Sequence, residues 1–113
     1  MTHSIYHISP ESFLDKYYQN ELKDSQLIDV RETYEWDMYH IDGFQLIPLG
    51  ELPDRRREID RHKKIYLVCA HGIRSLHAAN WLLEKGYRNV VNIDGGLAKV
   101  EIAAQEREER EEQ

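Results

Sequence analysis

The sequence predicts a single α/β domain built around a parallel sheet, and two observations support this prediction. Short apolar runs alternate with amphipathic stretches along the chain, as they do in βαβ units. The strongest apolar run, residues 64–69, is almost continuous, which is typical of a strand with both faces covered. At 113 residues, of which 41% are hydrophobic, the chain has the size and composition of one domain with its own core.

The first half of the chain contains three predicted strands, over residues 5–8, 27–30 and 44–48. Ser9 and Pro10 predict the start of a helix after the first strand, because serine is a good N-cap and proline fits the first helical position. Thr33 is the predicted cap of a second helix, which follows the second strand. One further short helix is expected over residues 49–59.

The second half of the chain repeats the alternation of strand and helix. A strand over residues 64–69 is followed by a helix that is expected to start at Arg74 or Ser75 and to stop at Gly86, a typical residue beyond a helix end. The last strand is expected over residues 90–93, and a final helix follows it.

An acidic segment ends the chain. Residues 101–113 contain six Glu and two Arg, whereas the whole chain has a net charge of -6, so the remainder is nearly neutral. We therefore expect one domain over residues 1–100 and an acidic helical extension or tail over residues 101–113.

The composition excludes several classes of function. No basic stripe interleaved with aromatic residues indicates a nucleic-acid partner. No apolar run approaches the roughly 18–20 residues of a membrane span, and the polar first residues do not resemble a signal peptide, so we expect a cytoplasmic protein without a membrane partner. A single cysteine excludes an intramolecular disulfide and a metal site of several cysteines. The expected chemistry uses no metal and no cofactor.

Residues 69–75, Cys-Ala-His-Gly-Ile-Arg-Ser, form the segment with the clearest chemical meaning. They connect a predicted strand to a helix at the edge where open α/β sheets bind ligands. A tight loop of this kind, backed by a helix N-terminus, points backbone N–H groups at one anionic atom. Gly72 permits the turn, and Arg74 adds a permanent positive charge. Such surroundings favour a thiolate over a thiol, and the same donors can hold a persulfide sulfur at Cys69.

Four segments resemble motifs of the rhodanese family and occur in the same order as in that family. The resemblance covers roughly residues 5–100. They are Leu27-Ile28-Asp29-Val30-Arg31-Glu32, Tyr39-His40-Ile41-Asp42-Gly43-Phe44 with Ile47-Pro48, Cys69-x-x-Gly72-x-Arg74-Ser75, and Asp94-Gly95-Gly96. The resemblance implies the rhodanese fold, whose central, mainly parallel sheet of five or so short strands has helices on both faces. It also implies that Cys69 is the persulfide-forming nucleophile.

The resemblance implies sulfurtransferase activity through a Cys69 persulfide. Sulfane sulfur would pass from thiosulfate or a persulfide donor to cyanide, a thiol or a protein cysteine. Asp29 and Arg31 are possible supporting residues, and a structural role for Asp29 is favoured over proton transfer. Many sulfurtransferases have arginine where this chain has alanine, which removes one cationic contact. The expected substrate-binding residues are Ala70, His71, Gly72, Ile73, Arg74 and Ser75.

Two other functions stay open at the level of sequence. A Cys-dependent phosphatase or arsenate reductase uses a similar anion-binding loop, but four residues separate Cys69 from Arg74, one fewer than in the phosphatase signature. The smaller ring suits a single sulfur atom better than a tetrahedral oxyanion. The second alternative is a non-catalytic interaction or regulatory module. Rhodanese-like domains that lack the cysteine are often of that kind, but this chain has the cysteine, the glycine and the arginine.

Overall fold

The computed structural model describes residues 4–112 and contains a five-stranded parallel sheet flanked by helices. The strands are β1 (Tyr6–Ile8), β2 (Gln26–Asp29), β3 (Gln45–Leu46), β4 (Ile65–Val68) and β5 (Val90–Ile93). The helices are α1 (Pro10–Tyr18), α2 (Thr33–Met38), α3 (Leu52–Arg55), α4 (Ile73–Glu84) and α5 (Gly96–Glu111). The sheet order is β1-β5-β4-β2-β3, with every neighbouring pair parallel. The predicted fold class is confirmed.

The central strand β4 explains the continuous apolar run in the sequence. All four of its residues are buried, and they alternate between two apolar layers. Tyr66 and Val68 pack with side chains of α1 and α5 on one face, whereas Ile65 and Leu67 pack with side chains of α4 on the other. Each such buried side chain contributes about 1.5–3 kcal/mol relative to an exposed one. Burial on both faces therefore fixes β4, and with it the loop that follows.

The start of α1 agrees with its prediction. The Ser9 hydroxyl accepts a hydrogen bond from the Ser12 N–H at 3.1 Å, and Pro10 is the first helical residue. Phe13 and Leu14 are the buried residues of this helix. The cap and the proline thus set the direction in which the apolar side of α1 meets the sheet.

Two local predictions are wrong. The N-cap of α2 is Glu32 rather than Thr33, and the Glu32 N–H donates to the Glu35 side chain at 3.0 Å, an interaction that Thr33 cannot make from one position later. The single helix expected over residues 49–59 is divided into a 3-10 turn (Leu49–Glu51), α3 and a second 3-10 turn (Arg56–Glu58). Pro53 has no N–H to donate, which interrupts regular helical hydrogen bonding at this point.

The last helix is anchored to the first. Val100 and Ala103 of α5 are buried, and Arg107 binds the Asp15 carboxylate of α1 at 2.7 Å. The Arg107 guanidinium also lies over the Tyr18 ring, 5.1 Å from its centroid. Within residues 4–112, no helix is both long enough and apolar enough to cross a membrane.

Candidate functional site

Cys69 lies directly after β4, with its sulfur at the N-terminus of α4. The residue is 1% exposed. Its Sγ accepts hydrogen bonds from the Gly72 N–H at 3.1 Å and from the Ser75 N–H at 3.3 Å. The twelve-residue helix begins at Ile73, so its N-terminal partial positive charge adds to these two donors. This arrangement stabilises negative charge on the sulfur.

Gly72 makes the turn of the loop possible. Its φ of +93° lies in the left-handed region that side-chain-bearing residues rarely adopt. A Cβ at this position would lie 3.1 Å from the backbone nitrogen of Gly95, closer than a normal contact. Glycine therefore serves both the turn and the close approach of the segment that follows β5.

The N-terminus of α5 holds the first residues of the loop by their backbone. The Leu97 N–H donates to the Cys69 carbonyl at 2.9 Å, and the Ala98 N–H donates to the Ala70 carbonyl at 3.1 Å. A Cβ at Gly96 would lie 2.4 Å from the Cys69 carbonyl oxygen. Gly96, in the Asp94-Gly95-Gly96 segment, therefore constrains the position of the cysteine directly.

A row of polar side chains leads away from the sulfur. The Cys69 thiol donates to the Ser75 hydroxyl at 3.4 Å, and that hydroxyl donates to the Asn92 side-chain oxygen at 2.6 Å. Asn92 in turn donates to the Asp94 carboxylate at 2.9 Å. Ser75 and Asn92 are 0% and 2% exposed, so the Asn92 side-chain oxygen depends on the Ser75 hydroxyl, and not on water, for its hydrogen-bond donor.

Ser75→Ala is expected to destabilise the fold by about 1–3 kcal/mol, because the buried Asn92 oxygen loses its donor. Urea unfolding measures this effect. Ser12→Ala, at an exposed position of α1, is the control. Equal unfolding midpoints for the two variants would contradict this role of Ser75.

Arg74 forms an ion pair with Glu35 of α2. Its two terminal nitrogens bind the two carboxylate oxygens at 2.6 and 2.9 Å. These hydrogen bonds lower the pKa of Glu35 to about 2, although partial burial opposes the shift, and they raise the pKa of Arg74. Within the described residues no hydrogen bond joins Arg74 to the sulfur. The expected donor-binding arginine therefore ties α2 to α4 in this structure.

The Glu35–Arg74 pair is expected to stabilise the fold in a pH-dependent way. The pKa of Glu35 is lower in the folded chain than in the unfolded chain. The contribution of the pair to the free energy of unfolding is therefore complete above about pH 4.5 and is lost as the pH falls towards about 2. The difference in unfolding free energy between wild type and Glu35→Gln should shrink across that interval. Urea unfolding at several pH values measures it, with Glu109→Gln, at an exposed position of α5 that forms no ion pair within the described residues, as the control. A difference that is independent of pH would contradict the account.

Asp29 and Arg31 lie beside the loop and bind each other. Their side chains are joined by three contacts of 2.8–3.0 Å, and Asp29 also accepts the Arg31 backbone N–H at 3.0 Å. Arg31 donates to the Tyr39 carbonyl at 2.7 Å, beyond the end of α2. Within the described residues, neither side chain makes a hydrogen bond to the sulfur. The geometry gives the pair a positioning role for α2.

A cleft of about 290 Å³ opens next to the loop. The predicted residues Ala70, His71 and Arg31 line it, together with Glu35 and the start of α5. Elsewhere on the described surface, the hollow beside Tyr17 contains no residue of the loop. No group of three or more metal-binding side chains occurs within residues 4–112.

Glu35 and Asn92 are the site residues that the sequence did not indicate. Each is far along the chain from the loop residue that it contacts, Glu35 by 39 positions from Arg74 and Asn92 by 17 from Ser75. A buried asparagine in the last strand is unusual among apolar neighbours, and that was the one available signal. The sequence contained no comparable signal for Glu35.

Comparison with known proteins gives consistent matches. A family model described as the rhodanese-like domain matches residues 13–103. YrkF of Bacillus subtilis, provisionally named a sulfur carrier protein, is 37% identical over 94 residues, which are 83% of this chain and 50% of YrkF. A tRNA uridine(34) hydroxylase of Bacillus velezensis is 34% identical over 97 residues, 80% of this chain and 29% of the hydroxylase.

Solved structures show the same fold. The crystal structure of a rhodanese-like domain protein from Staphylococcus aureus has a TM-score of 0.78 and 30% sequence identity, and the match covers 85% of this chain and 91% of that one. In contrast, the chain spans about half the length of YrkF and less than a third of the hydroxylase.

Proposed function

This chain belongs to the rhodanese-like domain family, and from that premise we propose that it transfers sulfane sulfur through a persulfide on Cys69. One observation carries the proposal: the Cys69 sulfur lies at the N-terminus of α4 and accepts two backbone N–H groups, from Gly72 and Ser75. A sulfur so placed is a nucleophile activated by its surroundings rather than by an adjacent base. The name of YrkF as a sulfur carrier supports the same class of chemistry.

The first half-reaction loads the cysteine. The Cys69 thiolate attacks the outer sulfur of thiosulfate or of a persulfide, and a new S–S bond forms. The S–S bond of the donor breaks, and its electron pair leaves with sulfite or with the donor thiolate. The sulfur remains as an anionic Cys69 persulfide, and the backbone of residues 70–75 and the α4 N-terminus stabilise that charge.

The second half-reaction unloads it. A thiophilic acceptor, such as cyanide, a small thiol or a protein cysteine, attacks the terminal sulfur and leaves with it, which returns the Cys69 thiolate. Because Cys69 is the only cysteine of the chain, no internal thiol competes for the sulfur. The acceptor must therefore come from outside these 113 residues.

Steady-state transfer tests the proposal. With thiosulfate or glutathione persulfide as donor and cyanide as acceptor, we expect thiocyanate above the enzyme-free blank, with the parallel double-reciprocal lines of a ping-pong mechanism. Absence of transfer from both donors, and from a peptide persulfide as a third donor, would favour a non-catalytic module. Rapid hydrolysis of an aryl phosphate without sulfur transfer would favour a phosphatase.

A further inference from the structure

Both arginines beside Cys69 are neutralised by carboxylates. Glu35 holds Arg74 by two contacts of 2.6 and 2.9 Å, and Asp29 holds Arg31 at 2.8 Å. Ala70, the residue next to the nucleophile, has no charge. Among the described residues that line the cleft there is no lysine and no other arginine, and the lining includes the acidic Glu101. An incoming inorganic dianion thus meets no uncompensated lysine or arginine on this surface.

The same surface exposes large apolar side chains. Of the seven large hydrophobic residues that are exposed within residues 4–112, one belongs to the loop, two line the cleft beside it, and one lies on α2. Met38 and Tyr39 line the cleft, and Ile73 opens α4. Tyr34 lies one turn before Met38 on α2, the helix that Glu35 ties to α4. We refer to Tyr34, Met38, Tyr39 and Ile73, which are 68%, 83%, 48% and 67% exposed, as the apolar rim.

Charge and apolar surface together point to one kind of donor. A hydrated dianion such as thiosulfate gains nothing from burying the apolar rim, and it needs cations that this cleft does not offer. The persulfide group of a cysteine in a polypeptide carries at most one negative charge. The side chains that neighbour this cysteine can cover the apolar rim. Exposed apolar surface of this kind is characteristic of protein-binding sites.

Building on the proposed function, we propose that the sulfur donor is a cysteine persulfide presented by a polypeptide with apolar residues beside the cysteine. Glu35 is then a specificity-determining residue, because it neutralises Arg74 and so disfavours inorganic sulfur anions. In the transfer, the Cys69 thiolate attacks the outer sulfur of the peptide persulfide. The peptide S–S bond breaks, its electron pair leaves with the peptide thiolate, and the outer sulfur with its charge or proton stays on Cys69.

Single-turnover loading of Cys69, followed by intact mass spectrometry, tests the proposal. The donors are a synthetic peptide persulfide with leucine on both sides of the cysteine, glutathione persulfide, and thiosulfate at equal concentration. The wild type should load at least about tenfold faster from the peptide than from either small donor, a factor that corresponds to burial of one large apolar side chain. Comparable loading from thiosulfate or from glutathione persulfide would overturn the proposal.

Variants separate the charge from the apolar surface. Glu35→Gln leaves the charge of Arg74 uncompensated, and Ala70→Arg adds a new positive charge. Each variant should therefore raise the ratio of thiosulfate loading to peptide loading about tenfold. Gln19→Arg is the control. Gln19 is an exposed residue at the C-terminal end of α1 that does not line the cleft, so the same change of charge there should leave the ratio unaltered. Met38→Ser combined with Ile73→Ser should lower peptide loading about tenfold.

The two proposals fail in different ways. Loading of Cys69 from none of the three donors would refute the proposed function, and this inference with it. Rapid loading from thiosulfate would leave the proposed function intact and refute the inference alone. An unchanged ratio in both Glu35→Gln and Ala70→Arg, with melting temperatures near that of the wild type, would refute the role given to charge.

Discussion

Cys69→Ser is expected to reduce sulfur transfer by at least about 10³-fold, to the level of the enzyme-free blank. A serine hydroxyl is not ionised near neutral pH and forms no persulfide, so the first half-reaction has no nucleophile. The loop itself should keep its shape, because serine is close in size to cysteine and its oxygen can accept the N–H groups of Gly72 and Ser75. Thiocyanate formation measures the activity.

The folded state of Cys69→Ser must be shown in the same experiment. Circular dichroism and thermal melting should give a cooperative transition similar to that of the wild type. A folded variant that retains a tenth or more of the wild-type rate would show that another group carries the sulfur.

Among substitutions at the site that add or replace one heavy atom, Gly96→Ala is expected to lower the free energy of unfolding most. A Cβ there would lie 2.4 Å from the Cys69 carbonyl oxygen and 2.6 Å from the Ala70 carbonyl carbon, and the φ of +66° is unfavourable for alanine. Strain and crowding together should cost about 2–5 kcal/mol. Relief of the clash must move the backbone of Cys69, so transfer activity should fall in the fraction that remains folded.

Gly50→Ala is the matched control. A Cβ at Gly50 would meet no atom within 4 Å, so its unfolding free energy should change by no more than about 1 kcal/mol. Chemical denaturation of both variants gives the comparison. Similar unfolding free energies for Gly96→Ala and Gly50→Ala would contradict the close contact between α5 and the loop.

The parts of the fold that the sequence predicts well depend on local patterns. The apolar run at 64–69 predicts the central strand because burial on both faces leaves no polar alternation. Ser9 and Pro10 predict the start of α1 because cap chemistry involves only the first helical turn. Gly86, with φ +94°, follows the end of α4 as expected. Each of these signals is contained within a few residues.

The features of the fold and site that the sequence does not predict depend on contacts between residues far apart in the chain. Arg74 alone suggests a free cation, and only the folded chain brings Glu35 from α2 to neutralise it. Arg107 lies among the glutamates of the acidic segment, and only the folded chain brings it to Asp15 of α1. The division at residue 100 stays a prediction, and α5 crosses that point as one continuous helix.

Sulfur transfer through Cys69 is tested most directly by the mass of the peptide that contains this residue after treatment of the protein with a sulfane donor. A persulfide on Cys69 requires a gain of one sulfur atom on that peptide, removal of the sulfur by cyanide, and no gain in Cys69→Ser. No gain with thiosulfate, glutathione persulfide or a peptide persulfide, or an equal gain in Cys69→Ser, would contradict it.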